Sequence, residues 1–106
     1  MRAGNLRHRV TIQQPVVDSS WGGTTNWEEY AEVWAAVEPL RGRELLAAQQ
    51  VQSETTAKVT IRYVAGVTAK MRILHGSRIF ELTAPPIDPE ERHRELQLMV
   101  KETTPS

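Results

Sequence analysis

Few residues in this 106-residue chain have the types and spacing that enzyme chemistry requires. The three histidines, His8, His75 and His93, do not form the helical i, i+4 pair that is typical of a zinc site. The segment EERHRE contains Glu90, Glu91 and His93, so a small hydrolase or metalloprotein is one hypothesis; a solvated loop with charges of both signs is favoured over it. No nucleophile-elbow, phosphate-loop or dinucleotide-binding motif occurs. The sequence therefore predicts no catalytic residue, no metal and no cofactor.

Nucleic-acid binding is a second kind of chemistry to weigh. Alternation places one basic set on the outer side of predicted strands, namely Lys58, Arg62, Lys70, Arg72 and Arg78. An oligonucleotide-binding barrel carries stacking aromatics on that same face, whereas Tyr63 and Phe80 fall on the apolar side here. The 13 basic and 13 acidic side chains also give zero net charge, which argues against a dedicated nucleic-acid binder. A small barrel that binds single-stranded nucleic acid is therefore the alternative hypothesis.

Size and composition limit the remaining classes. A chain of this length predicts one domain, residues 1–106. It has no cysteine, which excludes a disulfide framework and fits a reducing compartment. No apolar run approaches the roughly 20 residues of a membrane span, so no membrane partner is expected. The start, MRAGNLRHRV, lacks the apolar stretch of a signal peptide.

Alternating apolar and polar residues predict about six β-strands. The predicted strands are residues 8–13, 32–38, 58–63, 70–74, 78–83 and 95–101. Gly76 and Ser77 are typical of a type II′ hairpin turn. The fold class predicted is all-β, a small antiparallel β-barrel or sandwich, and closure would remove edges that invite aggregation. Residues 14–31, rich in Gly, Ser and Thr, are predicted as a long loop, and residues 102–106 as a frayed tail.

An insert between the second and third strands, residues 40–57, breaks this pattern. Its core, RGRELLAAQQVQS, predicts a short helix in which Leu45, Ala48 and Val51 recur every three residues. Glu44 would lie near the positive end of the helix dipole. The apolar stripe is thin, and helices this short are marginal without packing partners.

Two interpretations of the insert stay open. In one, Leu45, Leu46 and Val51 cap an open end of the barrel. In the other, the insert is a flexible segment that is mobile in the free chain and becomes ordered against a partner. Long connections in compact domains are usually functional or disordered, which supports the second interpretation.

Several motifs together resemble a known family. These are MRAGNLRHRVTIQ, W-x-x-Y-A-E-V-W-A-A-V-E-P-L-R-G-R-E, K-V-T-I-R-Y, G-S-R-I-F-E-L, Asp88 and E-L-Q-L-M-V-K-E. In this order, and over nearly the whole chain, they resemble the head–tail joining (head-closure, or stopper) proteins of tailed bacteriophages. The resemblance implies a small β-barrel that forms a ring below the portal and adaptor, retains packaged DNA and provides the surface to which the tail attaches. A tail-terminator protein is the alternative within this class.

The resemblance also implies partners and site residues. The partners would be portal and adaptor connector proteins, tail proteins, other copies of the chain, and double-stranded DNA contacted without sequence preference. The chain would lie at the virion head–tail junction, after assembly in the host bacterial cytoplasm. In some members the connection equivalent to the insert reaches into the central channel. The corresponding gating or partner-binding residues here are Arg41, Arg43, Glu44, Leu45, Leu46, Gln49, Gln50 and Val51.

Charge segregation suggests how neighbouring subunits could meet. A ring needs two different patches that fit each other on adjacent copies. Residues 1–13 carry basic side chains and no acid, while an acidic cluster follows; the two sets are Arg2, Arg7 and Arg9, and Glu28, Glu29 and Glu32. Pairing between these sets across subunits is expected to fix orientation and register more than affinity.

Overall fold

The computed structural model describes residues 6–18 and 24–103. The elements found there are β1 (His8–Asp18), β2 (Thr24–Pro39), α1 (Gly42–Val51), β3 (Ala57–Arg62), β4 (Arg72–His75), β5 (Arg78–Leu82), a 3₁₀ turn (Pro89–Glu91) and β6 (Glu95–Thr103). The strands form a closed antiparallel barrel in the order β1-β2-β3-β6-β5-β4. The predicted all-β barrel with a short helix between its second and third strands is confirmed.

The barrel interior is filled by alternate side chains of its strands. On β6 the buried residues are Leu96, Leu98 and Val100, and the residues between them are more exposed. This alternation is what a strand with one face on a core requires. The largest fully buried apolar side chains are Phe80, Ile12, Ile61, Ile73, Leu98, Val10, Val59 and Val100. All of them lie on strands, so the core is built without α1.

A short ladder between β1 and β4 closes the barrel. It joins Thr11–Gln13 to Arg72–Leu74 and places Ile12 opposite Ile73, both with 0% exposure. The β1–β2 register slips beside this ladder, since Ile12 pairs with Ala31 and Gln13 with Glu29. Such a bulge bends a strand and increases its twist. It marks the point at which the β1–β2 hairpin leaves the barrel wall.

The β4–β5 turn has the predicted type. His75 pairs with Arg78, so Gly76 and Ser77 form a two-residue connection. Gly76 has φ 62°, while the non-glycine residues with positive φ in the described part of the chain all lie in the 3₁₀ turn and just after it. A positive φ at the first central position alone is the signature of type II′.

The prediction of a long loop over residues 14–31 is wrong. β1 continues to Asp18 and β2 begins at Thr24, with Gln14 paired to Glu28. Turn-forming composition was overridden by pairing between the two strands. Pro15 is tolerated because this part of β1 pairs only with β2 and therefore has a free edge.

The predicted frayed tail is also shorter than expected. β6 extends to Thr103, which pairs with Ile79 of β5. Glu102 receives two hydrogen bonds of 3.0 Å from Arg78, and these favour the extended strand. The last three positions of the predicted tail lie outside the described residues.

We expect the core and the helix to respond very differently to the same substitution. Leu98→Ala removes a side chain with 0% exposure and should lower the free energy of unfolding by about 2–5 kcal/mol. Leu46→Ala on α1, where Leu46 is 65% exposed, should change it by less than about 0.5 kcal/mol. Urea unfolding of both variants measures this, and equal effects would contradict a core made only by the barrel.

Candidate assembly surfaces

The insert is fastened to the barrel at its base. Pro39 pairs with Ala57 across β2 and β3, and Leu40 N–H donates to the Thr56 carbonyl at 3.0 Å. Gly42, the first residue of α1, has φ 54°, a left-handed conformation that glycine adopts without steric cost. The base of the insert is therefore closed independently of what α1 itself contacts.

The helix contributes nothing to the core. None of the residues of α1 is buried, and Leu46 and Val51 are 65% and 84% exposed. The interpretation in which Leu45, Leu46 and Val51 cap the barrel is therefore wrong. The buried apolar residues of the insert, Leu40 and Ala57, lie before and after the helix. No helix in the described part of the chain is long and apolar enough to cross a membrane.

All eight residues expected to gate a channel or bind a partner lie together. Arg41 occupies the N-cap position and the other seven lie on α1. Gln49 is engaged, because its side-chain amide donates to the Thr55 carbonyl at 3.1 Å. Arg41 and Arg43 are exposed, and neither forms an ion pair with another described residue.

An apolar groove separates α1 from the outer wall of the barrel. Its helix side is formed by Leu40, Ala48 and Val51, and its barrel side by Ala84, Ile87 and Met99. The groove has a volume of about 410 Å³. The groove could not be predicted from the sequence, because residues 84–87 have no strand periodicity and approach β6 through an isolated bridge between Ile87 and Gln97.

The chain after α1 is held more firmly than α1 itself. Thr55 is 1% exposed, and its hydroxyl lies 2.7 Å from the Thr83 hydroxyl. Lys101 Nζ donates to Glu54 Oε2 at 2.6 Å. This hydrogen bond is the main cause that raises the pKa of Lys101. The chain is thus anchored before and after α1, although α1 itself has no buried side chain.

Amide hydrogen exchange should separate α1 from the barrel. A ten-residue helix without buried side chains opens locally, so its amides should exchange at least about 100-fold faster than those of Val59 and Leu98. Exchange measured by NMR on the free protein tests this. Protection in α1 equal to that of β3 and β6 would show that the helix is part of the cooperative unit.

The second candidate assembly surface is a β-ribbon, here called the arm. It consists of residues 14–18 and 24–28, where β1 and β2 pair with each other and with no other described strand. Five residue pairs of this kind extend about 17 Å. The molecule measures 44 Å along its longest axis and 27 and 26 Å across, as expected for a barrel with such an extension. At its base, the guanidinium carbon of Arg72 lies 4.1 Å from the Trp27 ring centroid.

The charges expected to pair between subunits are partly paired within the chain. Arg9 Nε lies 2.7 Å from Glu32 Oε1, because the hairpin register places them diagonally across β1 and β2. Glu28 accepts a hydrogen bond of 2.7 Å from Gln14. The structure leaves Arg7 and Glu29 exposed, and Arg2 lies outside the described residues. An exposed pair such as Arg9–Glu32 is worth at most about 1 kcal/mol, so it constrains an interface only weakly.

The outer basic residues do not form an open binding stripe. Arg72 donates to Gln13 Oε1 at 2.8 Å besides facing Trp27. Arg78 forms a bidentate ion pair with Glu102. The hydrogen bonds of this pair raise the pKa of Arg78 and lower the pKa of Glu102. Two of the five candidate phosphate contacts are therefore engaged within the chain, and the nucleic-acid hypothesis gains no support.

Two of the three hypothetical metal residues, Glu90 and His93, have other partners. His93 Nδ1 lies 2.6 Å from Asp88 Oδ2, and the His93 ring stacks on Tyr63 at 4.5 Å. Glu90 Oε2 lies 2.7 Å from Arg92. Within residues 6–18 and 24–103, no group of three or more His, Cys, Asp or Glu side chains is arranged to hold a metal ion.

A cleft of about 530 Å³ lies beside this loop, at the barrel end opposite α1. Its charged lining contains Arg62, Arg92, Arg94, Glu90 and Glu95. Asp88 also accepts the His93 backbone N–H at 3.0 Å and so holds the left-handed conformation of His93, φ 57°. The mixture of charges favours no single class of ligand.

A histidine pair lies near the β4–β5 turn. The rings of His8 and His75 are 4.7 Å apart, edge to face. Burial, followed by the charges of His8 and Arg78, lowers the pKa of His75 below its ordinary value of 6.5. Nδ1 of His75 is buried and has no hydrogen-bond partner among the described residues. Protonation of His75 is thus opposed by its surroundings.

The pH dependence of stability should reflect this pair. Since the folded pKa of His75 lies below the unfolded value of 6.5, the unfolded state binds more protons as the pH falls between them. The contribution of neutral His75 to the free energy of unfolding is therefore fully present above about pH 6.5. It is lost as the pH falls through the pKa that His75 has in the folded state. Unfolding free energies of the wild type should fall from about pH 7 to 5 relative to those of His75→Gln. If the difference in unfolding free energy between the two proteins stayed constant over this pH range, the lowered pKa of His75 would be contradicted.

Solved structures share this fold. The solution structure of a Shigella flexneri 2a protein is 24% identical, superposes with a TM-score of 0.80, and covers 100% of both chains. A chain from the virion of a native gene transfer agent particle is 19% identical with a TM-score of 0.61, covering 94% of this chain and 97% of that one. At these identities the likeness establishes the fold, a closed six-stranded barrel with one inserted helix.

The family follows from the sequence match. A model of the phage head completion protein family matches residues 1–103. A comparison with curated proteins finds no match. The chain belongs to the phage head completion protein family, and it is a structural protein of the virion. The resemblance to phage head–tail joining proteins is confirmed, and the tail-terminator alternative is not the family that matches.

Proposed function

We propose that this chain closes the filled phage head at the head–tail junction. In this proposal, copies assemble as a ring below the portal and adaptor proteins and provide the surface to which the tail attaches. The ring retains the packaged double-stranded DNA, and α1 of each copy faces its central channel. Assembly takes place in the host bacterial cytoplasm. The chain's role is mechanical and uses no cofactor.

One observation carries the proposal: in a member of the head completion family, α1 is a helix without buried residues attached to a complete barrel. A helix that its own barrel does not need is available to partners. Its base is fixed by the Leu40–Thr56 hydrogen bond, so it can change its contacts without disturbing the strands.

Retention of DNA needs obstruction and many small contacts, with no base recognition. Arg41 and Arg43 at the start of α1 are exposed and unpaired among the described residues, so they can meet phosphates. Leu46 and Gln50 add bulk on the exposed side of the helix. In a ring each weak contact is repeated in every copy, which raises the total strength of retention.

The two ends of the barrel offer different surfaces to partners. One end carries α1, with the groove between it and the outer wall, and the other end carries the arm and the mixed-charge cleft. A connector between adaptor and tail has to bind two unlike partners along one axis, and this asymmetry suits that task.

Deletion of residues 43–53 tests the proposal. Because Pro39 and Ala57 are directly paired, the deletion leaves a short connection, and the barrel should stay folded with little change in unfolding temperature. Heads assembled with the variant should package DNA and then lose it. DNA content of purified heads, measured by nuclease protection, gives the result.

A same-length Gly/Ser replacement of residues 43–53 is the control for chain length. It should also lose DNA, because it lacks the side chains and the helix that obstruct the channel. Full retention by both variants would refute the gating role. An unfolded deletion variant would instead show that α1 supports the barrel.

A further inference from the structure

We propose that the arm of one copy docks in the groove of the next copy around the ring. This inference rests on the proposed ring and names the contact that would join its subunits. The arm is the element that inserts, and the groove between α1 and the barrel is the site that receives it.

The arm lacks the contacts that normally stabilise a β-ribbon. Among the described residues its strands pair only with each other, and a two-stranded ribbon alone is at best marginally stable in water. Val16 on the arm is 40% exposed, and Asn26, its cross-strand partner on the same face, is also exposed. A partner surface that covers this face would stabilise the extended ribbon.

No residue in the described part of the chain fills the groove. Val51 and Ile87 on its two sides are 84% and 46% exposed, although its lining is predominantly apolar. Its volume of about 410 Å³ is in the range of protein ligand sites and suits a few side chains better than a whole helix. An apolar residue at the edge of a narrow ribbon fits this shape.

Charge favours this occupant. Within the arm the sequence has two carboxylates, Asp18 and Glu28, and no lysine or arginine. The groove has Lys58 and one carboxylate, Glu44, in its lining, and Arg41 and Arg43 lie at the adjacent start of α1, the positive end of the helix dipole. The three basic side chains outnumber the single acidic one. An acidic ribbon thus approaches a basic rim. Such complementarity sets orientation and encounter rate.

The arrangement requires a neighbour. The arm leaves the barrel where β3 ends, whereas α1 follows the end of β2, where β3 begins. The arm and α1, which forms one side of the groove, therefore lie at opposite ends of the barrel. Neither can satisfy the other within one chain. Each copy gives one arm and accepts one, which is a heterologous contact that forms a ring when the rotation closes.

Cysteine cross-linking in assembled particles tests the contact, because the natural chain has no cysteine. A chain carrying both Asn26→Cys and Val51→Cys should give a ladder of linked dimers, trimers and larger species on mild oxidation. Each single variant should give no species above the dimer. The matched control, Asn26→Cys with Ser77→Cys, places the second thiol at the exposed β4–β5 turn outside the groove and should give no ladder.

A second measurement uses charge insertion on both surfaces. Val16→Asp and Ile87→Asp, in separate proteins, should each lower incorporation into particles by at least about tenfold. Ala69→Asp, at an exposed position outside both surfaces, should leave incorporation unchanged. Circular dichroism of each purified variant establishes that the barrel is folded.

The outcomes separate this contact from the proposed function. Three outcomes would overturn the arm-to-groove contact alone. The first is that particles need the chain for DNA retention but give no ladder, and the second is that the control pair gives an equal ladder. The third is that Asn26→Cys becomes linked to a different virion protein. Particles that retain DNA without the chain would overturn the proposed function together with this inference. A ladder from the Asn26→Cys/Val51→Cys pair alone supports both the ring and this contact.

Discussion

Closure of the barrel by the three-residue ladder between β1 and β4 is the constraint on which the rest of the molecule depends. It brings Ile12 against Ile73 and completes a core that every strand shares. Because the sheet closes on itself, its strands satisfy their backbone hydrogen bonds without the insert. The chain therefore has two segments, α1 and the arm, that the stability of the barrel does not require.

Neither segment is stabilised by packing in the way expected for an isolated protein of this size. A helix with Val51 84% exposed and a ribbon paired only with itself gain little free energy from the barrel. In a virion structural protein such surfaces are expected, since the functional state is an assembly in which neighbours cover them. The zero formal net charge points the same way, because a chain that works in an assembly needs less self-repulsion to stay soluble.

Alternation of apolar and polar residues predicted the barrel well. It did not predict features that depend on which strands pair and in what register. β3 and β6 alternate β-branched or aliphatic residues with polar ones, so periodicity and burial coincide. The insert was recognised because its composition differs from that of the strands. The arm was not predicted because residues 14–31, the segment that contains it, are rich in Ser, Thr and Gly, which are typical of loops. Pairing such as that of Gln14 with Glu28 makes the arm a ribbon. The same register, which sequence does not reveal, also turned Arg9 and Glu32 from expected interface charges into a pair within one chain.

Cryo-electron microscopy of the head–tail junction in DNA-filled particles tests the central claim most directly, namely that a self-sufficient barrel presents α1 and the arm to neighbours. We expect the barrel of each subunit to superpose on the structure described here, with α1 facing the channel and in contact with other chains. A junction in which α1 folds into its own barrel and meets neither the channel nor a neighbouring subunit would contradict the account.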